Sequence, residues 1–286
     1  MYATATLASR IERVECDMLA ELAGAASARL GAAQVVSIPI GGGIAVYTGP
    51  ESPANKLAGL GFSAMPSETE IDAVERAFAE RRSPLQVEFS SLGDPAIPKL
   101  LTGRGYALIG FENVLGLPLD PSTHVAPHGP IEIARAGADE TAAWMDAVAT
   151  GFLHPDTFDG PPSHESFSRE AMERIFADAL ASPGFERFIA RRDGAIAGGA
   201  SLRLQDGIAQ LAGAATLPQH RRHGVQTALL RYRLHNAARR GCDVAVVTTQ
   251  PGSKSTENVQ RFGFAVLYVR AILVKPADQP QRLGSS

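Results

Sequence analysis

The sequence predicts a mixed α/β protein built from two tandem domains, and three observations lead to this prediction. The chain has 286 residues, more than the roughly 100–200 that a single domain usually holds. Its hydrophobic content of 45% and charged content of 20% are those of an ordinary globular protein and not of a disordered chain. Helical and strand-like apolar patterns alternate along it, interrupted by a segment with four prolines at 117–130.

That segment has the composition of a linker, so we expect a first domain at 1–120, a second at 130–276 and a tail at 277–286. Charge is divided unequally between the two halves. Up to Asp120 there are 9 Lys/Arg and 14 Asp/Glu, and after it 18 and 16, which gives net charges of -5 and +2. The two halves should therefore face different partners.

In the second half, strand-like and helical patterns follow one another. A proline-rich loop at 153–165 separates the first two helical patterns, and two Asp-Gly pairs then divide three apolar runs into an antiparallel meander. The predicted strands are 131–134, 185–191, 195–204, 208–216, 244–249 and 265–274. The predicted helices are 138–152, 167–180, 222–240 and 253–261.

The first half offers weaker signals. Three glycines at 41–43 join two strand-like runs, and because neither Lys-Ser/Thr nor a helix follows them, they indicate a hairpin turn and not a phosphate or dinucleotide loop. Glu88 lies in a predicted strand at 86–91 and Glu112 near another. The alternatives are buried carboxylates that face the cleft and ordinary surface residues, and we expect the second.

Several kinds of site and location are disfavoured. Cys16 and Cys242 lie far apart and match no metal-ligand or CxxC spacing, so no metal site or disulfide scaffold is expected, and a reducing cytoplasm is the default. Residues 1–11 lack a basic segment followed by an apolar run, and no stretch has the ~18 uninterrupted apolar residues that cross a bilayer. We expect neither export nor contact with a membrane.

The strongest functional signal lies where the strand ending at Thr216 meets the next helix. Residues 218–227 read PQHRRHGVQT, a basic loop with one glycine, Gly224. A helix N-terminus presents free N–H groups and the positive end of the macrodipole to an anion. From His220 to Arg240 there are six arginines and three histidines without one acid, so the local field has one sign. The pattern predicts a site for a polyphosphate.

This loop resembles the acyl-CoA loop of the GNAT superfamily of N-acetyltransferases, Q/R-x-x-G-x-G/A. Arg221 matches its first position and Gly224 its glycine, whereas Gln226 departs from the last. Pro218 matches the strand end that runs beside the pantetheine arm, and Gly263-Phe264 matches the G-F after the last helix. The resemblance covers 131 to about 276 and implies a GNAT-like central sheet flanked by helices.

The resemblance implies transfer of an acetyl group from acetyl-CoA to a small-molecule or peptide amine, by direct attack and without a metal. Whether the chain is a monomer or a homodimer stays open. The residues that it implies for acyl-CoA binding are Ala215, Thr216, Leu217, Arg221, Arg222, His223, Gly224, Val225, Gln226, Thr227 and Asn258.

The chemistry needs a base for the ammonium proton, a backbone N–H near Thr216 or Leu217 for the oxyanion, and a donor for the leaving thiolate. The base candidates of the long loop are Asp156, Asp159, His164 and Glu165, of which Asp156 and Glu165 are our choices.

For the thiolate, Val259 and Gly252 stand where many relatives carry a tyrosine and an asparagine. The donors left nearby are Ser253, Ser255, Asn258 and Tyr268. We take Tyr268 as the candidate acid, although an inward residue of an alternating strand explains it as well, and we expect the two serines to cap the helix.

A shift of 158 residues superposes the first half on the second without a gap. Residues 105–109 fall on 263–267, and 86–91 on 244–249, which indicates a duplicated domain. In that register 63–66 falls on 221–224, without its cations or its glycine. We therefore expect the first copy not to hold a nucleotide phosphate.

Two other functions stay open. The chain could bind acyl-CoA without catalysis, as a sensor or scaffold. Binding of nucleic acid is disfavoured, because the net charge is -3 and only 6% of residues are aromatic.

Overall fold

The computed structural model describes residues 1–122, 129–155 and 167–277. Over those ranges the chain forms seven α-helices and eleven β-strands. The elements of the first half are α1 (Ala5–Leu30), β1 (Val36–Ile40), β2 (Gly43–Tyr47), β3 (Lys56–Ala58), α2 (Glu68–Ala79), β4 (Leu85–Ser90), α3 (Ala96–Gly103) and β5 (Ala107–Pro118). Those of the second half are β6 (Ile131–Arg135), α4 (Thr141–Leu153), α5 (Arg169–Ala181), β7 (Phe185–Arg192), β8 (Ala195–Gln205), β9 (Ile208–Thr216), α6 (Val225–Arg239), β10 (Val244–Thr249), α7 (Lys254–Arg261) and β11 (Ala265–Lys275).

All eleven strands form one sheet, in the order β1-β2-β3-β4-β11-β5-β10-β9-β8-β7-β6. Strands β7 to β9 form the antiparallel meander that the sequence predicts, and β6 pairs antiparallel with β7 beside it. Asp193 and Asp206 begin its two tight turns with φ of 53° and 47°, which Asp-Gly pairs accommodate well. The glycines between β1 and β2 form a hairpin turn, also as predicted. The mixed α/β fold class is confirmed.

The last strands of the two halves are exchanged. Strand β11 pairs antiparallel with β4 of the first half, while β5 pairs antiparallel with β10 of the second half. Each half therefore completes its part of the sheet with a strand of the other. The domain boundaries at 1–120, 130–276 and 277–286 stay a prediction, because one sheet runs through both halves.

The two exchanged strands also pair with each other, and they do so about a local two-fold axis. Glu112 pairs with Arg270, the residue that the 158-residue shift assigns to it. Phe111 pairs with Ala271 and Asn113 with Val269, so each faces the residue that the shift assigns to the other. Both strands carry a register irregularity, one at each side of this pair. This symmetry supports the duplication that the shift predicts.

Helices cover both faces of the sheet. Leu229 and Leu234 of α6 and Val259 of α7 pack with Leu115 and Ala245 on one face. The opposite face is covered by α1, which begins against β10 and ends against β2. Thr4 caps the start of α1, and Gly31 ends it with φ of 89°. This helix crosses both halves and is not among the elements predicted from the sequence.

Candidate functional site

The site begins where two parallel strands separate. Strand β9 pairs with β10 over only three residues, Ile208, Ala209 and Gln210 opposite 244–246. Both strands continue beyond that point, β9 to Thr216 and β10 to Thr249, but they no longer pair with each other. The opening between them is part of a cavity of about 1360 Å³.

The basic loop closes one end of this cavity. After β9 the chain makes a short turn at Pro218–His220, and Gly224 then starts α6 with φ of 81°. A side chain at Gly224 would meet no atom within 4 Å, so this glycine meets the need for a left-handed backbone and leaves open space in front of the helix. The helix begins three residues later than predicted, because Arg222 is also left-handed, with φ of 64°.

The first turn of α6 is ready for an anion. No side chain of the described residues caps it, and it contains no acid. Gln226 and Thr227 lie in this turn and line the cavity together with Arg221 and Arg222. Uncapped N–H groups, the helix macrodipole and two guanidinium groups therefore act at the same place.

Close packing fixes the loop against the sheet. Val225 is buried in the core below the loop. At Gly198 of β8 a Cβ would stand 2.5 Å from the carbonyl oxygen of Ala215 and 3.2 Å from Cγ1 of Val225, so only glycine lets β8, β9 and α6 approach this closely. Arg221 donates to the carbonyl oxygen of His154 at the end of α4, which ties the loop to that helix.

A bulge shapes β9 beside the opening. The pairing of β8 with β9 shifts register between Gly199 and Ser201, and Gly213 of β9 has φ of 51°. Arg233 of α6 reaches this bulge and donates to the carbonyl oxygens of Leu229 (3.3 Å), Ser201 (3.0 Å) and Ala212 (3.5 Å). Burial lowers the pKa of Arg233 to about 10. The guanidinium holds the two strands in the bulged arrangement.

One of the two expected oxyanion donors is already used. The N–H of Leu217 donates to the carbonyl oxygen of Ala197 over 3.0 Å. Antiparallel pairing alternates, so the N–H of Thr216 points to the other edge of β9, from which β10 has separated. Its Oγ1 is buried without a hydrogen-bond partner among the described residues. Thr216 is the better placed of the two.

Most residues that the sequence assigns to acyl-CoA binding lie along this cavity, and two do not. Those that line it are Ala215, Thr216, Arg221, Arg222, Gly224, Val225, Gln226, Thr227 and Asn258. Leu217 and His223 lie outside the lining. His220 is not among the residues predicted from the sequence, but it lines the cavity, and its Nδ1 is buried without a partner among the described residues.

The cavity side of α7 carries polar groups but no tyrosine. Ser253 caps the helix by accepting from the N–H of Thr256, as expected, whereas Ser255 lies in the first turn and is not the cap. Val259 is buried in the core. Asn258 lines the cavity one residue before it.

Tyr268, the candidate acid, lies elsewhere. It is only 4% exposed, is not part of the cavity lining, and its hydroxyl donates to Oε1 of Glu12 over 2.7 Å. Burial and the charge of Glu12 raise the pKa of Tyr268 well above its usual range. Its position is that of an inward residue on a strand, and whether it acts in catalysis stays a prediction. Asp156, Asp159, His164 and Glu165 lie outside the described residues.

A cluster of buried charges lies on the α1 face of the sheet. Arg270 contacts Glu12 (2.8 Å) and Glu88 (3.3 Å), and Lys56 pairs with Glu88. The expectation that Glu88 is a surface residue is wrong, because it is 1% exposed. Burial raises the pKa of Glu88, but Lys56 and Arg270 outweigh this and lower it. These contacts join residues more than 30 positions apart, so local patterns could not reveal them.

The first half forms the far wall of the cavity. Glu15, Met18, Leu19 and Leu22 of α1 line it, and so does Lys56 of β3. Glu112 of β5 lines it as well, and its carboxylate lies 3.5 Å from Arg270. The cavity is therefore cationic at the loop and acidic at the first half.

Two features are absent from the described ranges. No group of three or more His, Cys, Asp or Glu side chains in them is placed to hold a metal ion. None of the helices in them is long and apolar enough to span a membrane.

Comparison with known proteins agrees with the resemblance. The fold is similar to a GCN5-related N-acetyltransferase from Kribbella flavida, with 20% identity, a TM-score of 0.61, and coverage of 90% of this chain and 96% of that one. It is also similar to a tandem GNAT protein from the clavulanic acid biosynthesis pathway, with 13% identity, a TM-score of 0.58, and coverage of 85% and 80%. No curated protein matches the sequence significantly. Residues 152–264, which contain the loop, the bulge and the opening between the strands, match the model of the acetyltransferase (GNAT) family.

Proposed function

We propose that the chain is an acetyl-CoA-dependent N-acetyltransferase with one working site, in its second half. The observation that carries this proposal is the uncapped first turn of α6 at the mouth of the opening between β9 and β10. The open space at Gly224 and the cationic side chains of Arg221 and Arg222 fit a pyrophosphate. The match to the GNAT family supports the same conclusion.

Acetyl-CoA supplies the acetyl group as an activated thioester. The transfer forms a C–N bond to the amine and breaks the C–S bond. The ammonium loses one proton to a base before the attack and a second proton as the amide forms, and the thiolate gains one. In this proposal the N–H of Thr216 stabilises the oxyanion, and Arg233 holds the strand that carries it. Since Val259 cannot donate a proton, a serine of α7 or solvent protonates the thiolate.

Thermal unfolding tests the cofactor. A ligand that binds only the folded chain adds about 2.7 kcal/mol of stability at 100 times its Kd, so acetyl-CoA should raise the Tm clearly. An unchanged Tm at saturating acetyl-CoA contradicts the proposal. Release of free CoA thiol with a panel of polyamines, amino acids, aminoglycosides and peptides then identifies the acceptor.

A non-catalytic acyl-CoA sensor is the second candidate, and the valine at 259 favours it. The same panel separates the two functions. A sensor binds acetyl-CoA, and its Tm rises, but no amine releases CoA faster than the reaction without protein. An enzyme releases CoA in proportion to its concentration.

A further inference from the structure

The cavity reaches well beyond the basic loop. It measures about 1360 Å³ and extends from Gly224 to α1 of the first half. With the nucleotide end at α6, the part between β9 and α1 is available to a second molecule. On the proposed function that molecule is the acceptor amine.

The wall of this second space is acidic. Glu15 and Glu112 line it, and Arg270 lies 3.5 Å from the carboxylate of Glu112, while Lys56 pairs with Glu88. Glu15 accepts from Nε2 of Gln210 over 3.2 Å and forms no ion pair with a lysine, arginine or histidine of the described residues. An ammonium group is attracted to the carboxylate of Glu15, and a carboxylate is repelled.

The same space has an apolar side. Met18 and Leu22 of α1 face it together with Met172 and Ile175 of α5. The two helices are fixed to each other by Arg29 of α1, which forms two hydrogen bonds of 2.9 and 2.6 Å to the carboxylate of Asp178 of α5. A body of four or more carbon atoms can therefore pack beside the acidic groups without a rearrangement of the wall.

We propose that the acceptor is a primary ammonium with an apolar body and no carboxylate, bound by Glu15 and Glu112 of the first half. This inference rests on the proposed function and adds the substrate class. It gives the first half a role in the reaction, because the acceptor subsite is incomplete without α1 and β5.

Three amines that share one carbon chain test the proposal. Pentylamine has the ammonium and the apolar chain, norleucine adds a carboxylate, and norleucinamide replaces that carboxylate by an uncharged amide of the same shape. With kcat/KM measured from CoA release, we expect pentylamine and norleucinamide to be used at least about tenfold better than norleucine, since like charges at a binding site cost several-fold to many-fold in affinity.

The variants Glu15→Gln and Glu112→Gln should lower the preference for norleucinamide over norleucine, with the acetyl-CoA Kd unchanged. A variant that only disturbs the fold lowers the rate with both amines and leaves their ratio as it is. Glu80→Gln, on the exposed end of α2, is the control and should change neither quantity.

Equal or better use of norleucine overturns the inference. So does a failure of all three amines, both to be acetylated and to raise the Tm of the protein with bound CoA, when another class of amine is turned over. If acetyl-CoA itself does not bind, the proposed function is wrong, and this inference is wrong with it.

Discussion

Helices α2 and α6 begin at corresponding places in the two halves, and their first turns differ in every feature that matters for an anion. Ser67 starts α2 with a capping box, in which its Oγ accepts from the N–H of Glu70 and the Glu70 carboxylate accepts from the N–H of Ser67. Glu68 and Glu70 add negative charge. The first turn of α6 has no side-chain cap among the described residues and no acid.

The strand openings differ as well. Strand β3 pairs parallel with β4 over three residues, as β9 does with β10. In the first half, however, Leu60 is buried two residues after β3, and the carbonyl oxygen of Gly61 accepts from the N–H of Asp94 over 2.9 Å. These contacts occupy the space that corresponds to the opening between β9 and β10. A copy of this fold can thus lose a binding site by satisfying its own backbone groups while the fold persists.

The largest effect should come from reversing charge on the working loop. Arg221→Glu places a carboxylate beside the pyrophosphate, and we expect the acetyl-CoA Kd to rise about 100-fold, since charge-assisted bonds to phosphate are among the strong ones. Ser63→Glu makes the matching change in the first half and should leave the Kd unchanged. Calorimetric titration measures both, and equal losses would contradict the difference between the halves.

A smaller effect should follow from copying the acidic turn of α2 onto α6. Gln226→Glu reproduces Glu68, the residue at the corresponding position. A carboxylate at this helix N-terminus competes with the ligand phosphate, and we expect an acetyl-CoA affinity about tenfold lower, or ~1.4 kcal/mol. The reciprocal variant Glu68→Gln is the control. An unchanged Kd in Gln226→Glu, or a larger change in Glu68→Gln, would contradict the difference between the two turns.

Removing the Tyr268 hydroxyl should affect stability more than chemistry. Tyr268→Phe leaves the carboxylate of Glu12 without one buried donor, which costs about 1–3 kcal/mol of unfolding free energy. We expect kcat to fall by less than about tenfold, because positioned general acids contribute 10² or more. Steady-state kinetics and denaturant unfolding measure the two quantities. A hundredfold loss of kcat with unchanged acetyl-CoA affinity would make Tyr268 the general acid.

The smallest effect should be that of the capping box. Ser67→Ala removes the cap of α2 and should lower the unfolding free energy by about 1 kcal/mol. Acetyl-CoA affinity should not change, because this turn binds no ligand. Urea unfolding and titration of the same preparation check both parts, and a weaker acetyl-CoA complex would indicate that the first half takes part in phosphate binding.

The secondary structure of the second half and its basic loop could be predicted well from local sequence. Turn residues at 193–194 and 206–207 and the glycine at 224 fix backbone angles by themselves, so the meander and the start of α6 could be predicted within a few residues. The start of α6 was placed too early, because nothing in the sequence marks Arg222 as left-handed.

Long-range features could not be predicted. The exchange of β5 and β11 depends on two similar strands, either of which suits either half by local pattern. The buried pair of Glu12 and Arg270 joins residues 258 positions apart. Helix α1 packs against both halves in turn, and the acceptor wall that it forms depends on this tertiary packing.

The number of acetyl-CoA molecules bound per chain tests the central claim most directly. One working loop and one filled copy predict a stoichiometry of one in calorimetric titration, and Arg221→Glu should abolish that binding in the accessible concentration range. A stoichiometry of two, or a single site that survives Arg221→Glu with its affinity intact, would contradict the assignment of the site to the second half.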